Sequence, residues 1–413
     1  MTDKSQAFRR NHYVPVWYQK RFLLPGKHKY FRLDINPDSV KENGVTYTRN
    51  NIHEWSPRKV FVEKDLYTTQ WGNLINTDIE ARFFGKIDHR SKMALEYFSG
   101  FDCSTISKKS FHNFLNFMSI QKLRTPKGLN YIASLVGGDK NKNLVILQDI
   151  QNMFCAVWTE SVWQIASAEK AGVKLIISDH PVTVYNRKCP PLSKYCVNGE
   201  DPDVRLAATH TYFPLDLNKV LILTNLNWVR NPYQNELRIR PNPQWFRDSI
   251  FNFTKIQTDR YLTDDEVLQL NYITKKRALR YVAAAEKEWL FPEKYVSTDH
   301  WKKLGGGFLL MPEPRLEHMG GEIVIGYKSG SSDAFGPYGH KPWQKGYKDS
   351  AREQRERNTL ERFKAEWASI HGPKYTARTH DFGSRTGLDS DSEEMTQIRE
   401  SVLKKYSRKR RRK

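Results

Sequence analysis

The sequence contains few cysteines, and none of them form a closely spaced pair. Its 413 residues include Cys103, Cys155, Cys189 and Cys196, without a Cys-x-x-Cys motif. Structural zinc sites take ligands from pairs two to four residues apart, so the sequence does not indicate a zinc site. Cys189 and Cys196 are near enough in sequence to meet across a loop, but reduced thiols are expected in an intracellular chain.

Long apolar runs are also missing. No stretch approaches the roughly 18 consecutive apolar residues of a membrane span, and the opening Met-Thr-Asp-Lys-Ser-Gln lacks the apolar region of a signal peptide. We therefore expect no membrane partner. The expected location is intracellular, cytoplasmic, or nuclear in a eukaryotic source.

Motifs of several enzyme classes do not occur. The sequence has no Gly-x-x-x-x-Gly-Lys loop, no Gly-x-Gly-x-x-Gly, no His-Glu-x-x-His and no Gly-x-Ser-x-Gly. Nucleotide triphosphatases, dinucleotide enzymes, zincins and hydrolases with a nucleophile elbow therefore find no support. No acidic residue lies two positions before a lysine, the pair typical of one large class of metal-dependent nucleases.

What the sequence does contain is positive charge, concentrated at its two ends. The formal net charge is +21 at pH 7. Residues 404–413 contribute +8 and residues 1–32 contribute +7, although they are only a small part of the chain. This distribution suits an anionic partner such as nucleic acid. A solubilising tail is the alternative interpretation of the basic C-terminus.

Hydrophobic spacing predicts a mixed α+β domain with a central helical third and a small sheet, followed by a polar C-terminal helix and a basic tail. The strongest predicted helix is Leu144–Ala168, where apolar residues recur every four positions. The other predicted helices are Thr77–Phe98, Ser107–Leu123, one starting at Thr125-Pro126, and one from Thr263 to about Lys287. The predicted strands include Lys29–Ile35, Val45–Arg49, Lys59–Glu63, Val173–Ser178, Thr211–Leu215 and Val220–Thr224.

Four regions are expected along the chain. Residues 1–300 form the α+β domain, and residues 301–345 form an extension with a β-hairpin at Glu322–Asp333. Residues 346–371 form a charged helix with a thin seam of Leu360, Phe363, Trp367 and Ile370. Residues 372–413 form a tail, acidic and then basic, that we predict to be disordered or to fold on a partner.

A set of short motifs resembles one protein family. These are His12-Tyr13-Val14-Pro15, Arg21-Phe22, Lys64-Asp65-Leu66-Tyr67, Ile79-Glu80, Gln121–Pro126, Asp179-His180-Pro181 and Phe213-Pro214-Leu215. In this order they resemble the family catalogued as domain of unknown function 4238, over roughly residues 9–290. Val16 and His180 replace the glutamine and asparagine usual in that family. The resemblance implies the fold and the location of a site, and it implies no activity.

Three residues are candidates for catalysis. Asp179 follows a buried strand, where α/β-type sheets open to ligands, although it is equally suited to accept bonds in a turn. His12 is suited to act as a general base, metal ligand or phosphate contact, or to tie the N-terminal segment to the core. With Glu80, Asp179 forms a candidate metal-binding pair for Mg²⁺ or Mn²⁺, although a solvated helix-face glutamate is the simpler interpretation of Glu80. His180 is a weaker candidate.

Other residues are candidates for binding. Arg124 is positioned to clamp a phosphate or carboxylate, or to form a salt bridge with Glu80 or Asp179. Tyr13 and Arg21 would complete a basic, aromatic rim able to stack on bases. In the tail, the candidates are Lys404, Lys405, Arg408 and Arg410.

These patterns favour a nucleic-acid-associated protein and leave catalysis open. One alternative is a metal-dependent, nuclease-like phosphodiesterase using His12, Glu80, Arg124 and Asp179. It requires those residues to converge within hydrogen-bond or one-water reach. The other alternative is a non-catalytic module that binds a protein partner through the helix Asp349–Ile370.

Overall fold

The computed structural model describes residues 10–42, 45–71, 74–76, 84–102, 104–137, 151, 153–196, 201–240, 251, 253–307, 323–326 and 330–371. Its helices are α1 (Val16–Gln19), α2 (Gly85–Ser99), α3 (Lys108–Leu123), α4 (Pro126–Val136), α5 (Leu226–Arg230), α6 (Asp264–Arg277) and α7 (Ser350–His371). Residues 153–160 are also helical. None of the helices in these segments is long and apolar enough to cross a bilayer.

The strands come in groups between these helices along the chain. They are β1 (Arg10–His12), β2 (Tyr30–Asp34), β3 (Ser39–Glu42), β4 (Val45–Thr48), β5 (Ile52–Trp55), β6 (Val62–Lys64), β7 (Thr69–Trp71), β8 (Leu74–Asn76), β9 (Val162–Ser167), β10 (Ile177–Ser178), β11 (Thr183–Asn186), β12 (Thr209–Pro214), β13 (Lys219–Thr224), β14 (Gln257–Tyr261), β15 (Tyr281–Ala284), β16 (Ile323–Gly326) and β17 (Ser332–Phe335). The predicted mixed α+β class is confirmed.

Most strands belong to two sheets. The larger sheet has the order β11-β12-β13-β9-β14 and is antiparallel except for the β14–β9 pair. The second sheet has the order β10-β15-β2-β5 and is antiparallel throughout. It brings β2, near the N-terminus, beside β15, some 250 residues later in the chain. This sheet holds the end of β10, and with it Asp179, against the start of β15.

The main core lies between the larger sheet and helices α2 and α3. The Phe98 and Phe114 rings are 4.6 Å apart between centroids, and Trp163 of β9 is 5.5 Å from Phe98. Tyr18 stacks on Phe213 of β12 at 5.2 Å and donates to the carbonyl oxygen of Pro214 at 2.5 Å. The dense aromatic content near the N-terminus thus supplies core side chains, which bury large apolar areas.

The predicted helix Leu144–Ala168 is wrong in its last part. Residues 153–160 are helical, but Val162–Ser167 form β9 at an interior position of the larger sheet. A four-residue spacing fits both a helix and a strand, because four is also an even number of strand positions. Val162, Trp163 and Ile165 are good strand formers, and the pairing with β13 and β14 decides the structure here.

The helix predicted from Thr263 begins as expected and ends early. Thr263 Oγ1 accepts from the Glu266 N–H, and the Glu266 carboxylate accepts from the Thr263 N–H at 2.9 Å, which is the predicted capping box. The helix stops at Arg277 rather than near Lys287, because Tyr281–Ala284 pair with β2 and β10. Similarly, only Ile177–Ser178 of the predicted strand Val173–Ser178 are paired.

The C-terminal part packs on the main body through buried charged groups. Arg230 and Arg240 both donate to the carbonyl oxygen of Pro337. Strands β16 and β17 pair antiparallel, as the predicted hairpin requires. In α7, Leu360 is fully buried, and Phe363 packs on the cluster that contains Trp228 and Val229. This chain therefore covers the first half of the apolar seam of α7, while the side chains of Trp367 and Ile370 lie outside the description.

Candidate functional site

A pocket opens where α3 ends, α4 begins and the chain passes through residues 201–204. The polar lining consists of Lys122, Lys127, His180, Asp201 and Asp203, and the apolar lining includes Tyr131, Met153, Phe154 and Val204. Four of the polar side chains are at least nine-tenths buried, namely Lys122, Lys127, His180 and Asp201. We call the space that these four residues line the lysine pocket.

The turn between α3 and α4 brings the two lysines together. Thr125 caps α4 by accepting from the Gly128 N–H at 3.1 Å, and Pro126 occupies the first helical position, both as predicted. A Cβ atom at Gly128 would lie 2.2 Å from the Lys122 carbonyl oxygen. Only glycine therefore permits α4 to start so close to the last turn of α3, which places Lys122 and Lys127 on the same pocket.

Both lysines bind Asp201. Lys122 Nζ lies 2.6 Å from Asp201 Oδ2, and Lys127 Nζ lies 2.8 Å from Asp201 Oδ1. Burial favours the protonated carboxyl, but the charges of Lys122 and Lys127 and the bond to His180 outweigh it and hold the pKa of Asp201 well below its ordinary value. Burial lowers the pKa of Lys122, with Asp201 acting against this effect. Asp201 is thus ionised at neutral pH.

His180 joins the cluster in its neutral form. Its Nε2 lies 3.1 Å from Asp201 Oδ2 and 3.3 Å from Lys122 Nζ, and its Nδ1 lies 2.7 Å from Thr125 Oγ1. Burial, together with the positive charge of Lys122, lowers the pKa of His180 to about 3. The imidazole therefore carries no charge near pH 7, and both of its nitrogens face polar atoms.

The lysine pocket retains unused positive charge. An ammonium group has three N–H donors. Within the described part of the chain, Lys122 Nζ has Asp201 as an acceptor, and His180 as a second one only in the tautomer whose Nε2 carries no proton. Lys127 Nζ has two acceptors, Asp201 and the Arg277 carbonyl oxygen at 2.7 Å. At least one N–H on each lysine is left. The two lysine charges face the one buried carboxylate of Asp201, while Asp203 in the lining is partly exposed and paired with Arg205. The arrangement suits a small anion such as a phosphate or carboxylate group.

Asp179, the first catalytic candidate, accepts hydrogen bonds from backbone N–H groups. Its Oδ1 accepts from the Leu279 N–H at 2.9 Å, and its Oδ2 accepts from the N–H groups of Arg280 and Tyr281 at 2.6 and 2.8 Å. Burial raises its pKa in spite of these three bonds. These contacts agree with the interpretation of Asp179 as a residue that accepts bonds in a turn. Its carboxylate links the end of β10 to the start of β15.

His12 and Arg21 also contact the main chain. His12 Nε2 lies 3.0 Å from the Arg58 carbonyl oxygen, and partial burial lowers its pKa. Arg21 donates to the Leu215 carbonyl oxygen at 2.8 Å and to Asp216 at 3.4 Å. Both side chains thus tie the N-terminal segment to later parts of the chain, which is the structural alternative for His12.

Tyr13 and Arg124 lie in the interior and not on an exposed rim. Tyr13 is 4% exposed, and burial raises its pKa well above the ordinary value. Arg124 is 1% exposed, binds Gln121 Oε1 at 2.6 and 3.0 Å, and forms an ion pair with Asp88 at 3.0 Å. The prediction that Tyr13 joins Arg21 in an exposed basic, aromatic rim is therefore wrong for Tyr13. Arg124 forms a salt bridge as predicted, but its partner in the described part of the chain is Asp88 rather than Asp179, and Glu80 lies outside the described residues.

The remaining candidates fall outside the described residues. These are Glu80, in the gap at 77–83, and Lys404, Lys405, Arg408 and Arg410 in the tail. In the segments that the structure describes, no group of three or more His, Cys, Asp or Glu side chains is arranged to hold a metal ion. The three described cysteines, Cys155, Cys189 and Cys196, are buried free thiols.

Sequence reasoning missed Lys122, Lys127 and Asp201 as site residues. Lys122 belongs to the motif Gln121–Pro126, so the sequence offers a reason to consider it. Nothing in the sequence marks Asp201 as a site residue, because it follows a segment without periodicity and lies 74 residues from Lys127. Only the three-dimensional structure brings its carboxylate between the two ammonium groups.

A family model described as "Protein of unknown function (DUF4238)" matches residues 10–143. This segment is similar to the DUF4238 family. The match confirms the resemblance found in the N-terminal motifs, and the predicted similarity from there to residue 290 remains a prediction. No curated protein and no solved structure matches the chain. The DUF4238 segment contains Lys122 and Lys127, while His180 and Asp201 come from the part of the chain that follows it.

Proposed function

We propose that this protein binds nucleic acid and that the lysine pocket receives one of its phosphate groups. The observation that carries the proposal is the pair of buried lysines, each with an N–H not used by the described protein groups. Lysine is a common phosphate ligand in proteins. A phosphate oxygen between Lys122 and Lys127 would accept both remaining N–H groups and offset the excess positive charge.

The start of α4 supports the same ligand. Lys127 and Gly128 lie in the first turn of α4 and line the pocket. The N-terminus of a helix carries a partial positive charge and favours anions. Helix α4 has 11 residues, and its dipole adds to the charges of the two lysines.

Surface charge supports a polyanion over a small anion alone. Near the N-terminus, the side chains of Arg10, Lys20, Lys27 and Lys29 are exposed. The last ten residues of the sequence contain eight lysines and arginines and no acidic residue. Nucleic acid offers a regular series of phosphates to such groups, and each neutralised phosphate makes binding more sensitive to salt.

The two alternatives have less structural support. The three described residues of the hydrolase set, His12, Arg124 and Asp179, bind different partners: a carbonyl oxygen, Gln121 with Asp88, and backbone N–H groups. The protein-docking alternative depended on the apolar seam of α7, whose Leu360 and Phe363 pack against this chain.

The test is binding of labelled RNA and DNA, measured by fluorescence anisotropy at low and high salt, with Mg²⁺ or Mn²⁺ present. In Lys127→Met, Asp201 keeps Lys122 as its partner, and we expect affinity to fall about three- to tenfold. Replacing Lys404, Lys405, Arg408 and Arg410 by glutamine in the full chain should reduce the slope of log affinity against log salt by up to about four.

Lys302→Met is the matched control, because Lys302 is exposed and lies far from both ends of the sequence. We expect it to bind as the wild type does. Failure of the wild type to bind either nucleic acid would refute the proposal. An equal loss of affinity in Lys127→Met and Lys302→Met would mean that the lysine pocket does not bind the nucleic acid. Cleavage of the labelled strand that depends on the metal would favour the hydrolase alternative.

A further inference from the structure

A second pocket lies beside β11, β12 and α5. It is lined by Tyr185, Arg187, Ala208, His210, Trp228, Leu304 and Gly305. None of these residues lines the lysine pocket. We call it the His210 pocket, because the unusual chemistry of this histidine distinguishes it.

Two side chains of this pocket have buried polar atoms without partners. His210 is 6% exposed and Trp228 is 3% exposed. Nε1 of Trp228 has no hydrogen-bond partner in the described part of the chain, and neither ring nitrogen of His210 reaches the distance and angle of a normal hydrogen bond there, although one of them faces the main chain of Ala208. Buried polar groups in folded proteins are almost always hydrogen-bonded, and an exception calls for an explanation. Because both residues line the same pocket, a ligand there can supply the missing partners.

The unpaired atoms indicate the chemistry of that ligand. Burial lowers the pKa of His210 to about 3, against the opposing effect of the Ala208 main chain, so the imidazole is neutral. A neutral imidazole has one donor and one acceptor. The donor side of His210 faces the Ala208 main chain, so the pocket offers the acceptor nitrogen of His210 and the indole N–H of Trp228. A carboxylate would satisfy the indole N–H and leave the acceptor nitrogen facing negative charge. An edge with an acceptor atom beside an N–H, as in an amide, satisfies both.

The walls offer aromatic surface, which suits a ligand with a flat aromatic face. The Tyr185 and His210 rings lie 6.2 Å apart, and the His210 and Trp228 rings lie 6.4 Å apart. The guanidinium of Arg187 lies 4.9 Å from the Trp228 ring centroid, and its side chain is 37% exposed. The Tyr185 hydroxyl already donates to the carbonyl oxygens of Trp301 and Leu304, at 2.9 and 3.1 Å. Tyr185 therefore contributes an aromatic surface rather than a free donor.

We propose that the His210 pocket binds a neutral planar ring whose edge carries a hydrogen-bond acceptor beside an N–H donor, the chemistry shared by nucleobases and nicotinamide. The ring lies among aromatic side chains, accepts from Trp228 Nε1 and donates to the acceptor nitrogen of His210. This assignment does not depend on the lysine pocket or on nucleic-acid binding.

The test uses isothermal titration calorimetry with four probes: uracil, adenine, nicotinamide and benzoate. We expect at least one of the three neutral rings to bind the full-length protein at least tenfold more tightly than benzoate, whose ring carries a charged carboxylate. Among the neutral probes, the order of affinity distinguishes a nucleobase site from a nicotinamide site.

Trp228→Phe is the decisive variant, because it removes the indole N–H and keeps an aromatic ring. We expect it to weaken binding of the best neutral probe about three- to tenfold. Its melting temperature should fall only slightly, since Nε1 has no partner in the described part of the chain and the loss is confined to the packing of the smaller ring. Trp343→Phe is the matched control outside the pocket, at a side chain that is 39% exposed.

Three outcomes would overturn the assignment. The first is that no neutral probe binds, as expected if ordered water alone satisfies His210 and Trp228. The second is that benzoate binds as tightly as the neutral rings. The third is that Trp228→Phe and Trp343→Phe affect the affinity equally.

Discussion

Asp179 and Asp201 are both buried carboxylates in the middle of the chain, and their surroundings differ completely. Asp179 accepts from three backbone N–H groups at the start of β15. Asp201 accepts from two lysine ammonium groups in the lysine pocket. The pKa of Asp179 is raised by burial, whereas the lysine charges overcome burial and lower the pKa of Asp201.

The difference shows how a buried carboxylate acquires a structural or a functional environment. Backbone N–H groups are fixed in place, so Asp179 makes a permanent connection between two strands. Lysine ammonium groups have more donors than one carboxylate needs. The cluster around Asp201 therefore still has hydrogen-bonding capacity for a ligand, and the cluster around Asp179 has little.

The largest effect is expected from removing the carboxylate of the lysine pocket. Asp201→Ala leaves two buried ammonium groups without their counter-ion, which should lower the free energy of unfolding by about 3–5 kcal/mol. Urea denaturation at pH 7 measures the change. Asp203→Ala is the matched control: Asp203 is partly exposed and pairs with Arg205, and the expected loss is below about 1 kcal/mol. Equal losses in the two variants would contradict the central place of Asp201.

Removing the other carboxylate should cost somewhat less. Asp179→Ala deprives the N–H groups of residues 279–281 of their acceptor and should lower the free energy of unfolding by about 2–3 kcal/mol. The variant should keep the binding of nucleic acid at temperatures where it is folded. Urea denaturation and fluorescence anisotropy on the same samples test both statements. If Asp179→Ala lost nucleic-acid binding while its stability was unchanged, Asp179 would be a ligand-contacting residue instead.

The smallest effect concerns acid sensitivity. His180 has a pKa of about 3 when folded and about 6.5 when unfolded, so the unfolded state binds more protons between these values. Its contribution to stability is complete above pH 6.5 and is lost as the pH falls toward 3. Between pH 7 and 5.5, the expected loss is about 1 kcal/mol.

His180→Asn, which cannot titrate, should lose less stability than the wild type over this interval in urea denaturation. Asparagine is also the residue expected here from the family resemblance, and it is close to His180 in its hydrogen-bonding capacity. His180→Gln provides a second non-titrating variant. An unchanged pH dependence in both variants would mean that His180 is not the buried neutral group of the lysine pocket.

Local signals in the sequence predicted many of the elements. Proline after Thr125, the capping box at Thr263 and the apolar spacing of α3 depend on neighbouring residues, and all three appear in the structure. The predictions failed where pairing between strands that are distant in sequence determines the secondary structure. β9 lies between β13 and β14, and β15 lies between β10 and β2, so both are shaped by partners far away in the chain.

The candidate site was harder to predict for the same reason. The sequence pointed to the segments around Gln121–Pro126 and Asp179-His180, and residues of both line or adjoin the lysine pocket. It did not indicate which carboxylate would be surrounded by lysines. Asp179 had the stronger local signal, following a strand, whereas Asp201 reaches Lys122 and Lys127 only through the tertiary fold.

The packing of α7 has a practical consequence for shortened forms of this protein. Phe363 packs on the cluster of Trp228 and Val229, and Trp228 also lines the His210 pocket. Deleting everything from residue 350 onward would uncover these apolar side chains and invite aggregation. A chain that ends just after His371 would keep them covered while removing the basic end. This is the boundary we would choose for crystallisation.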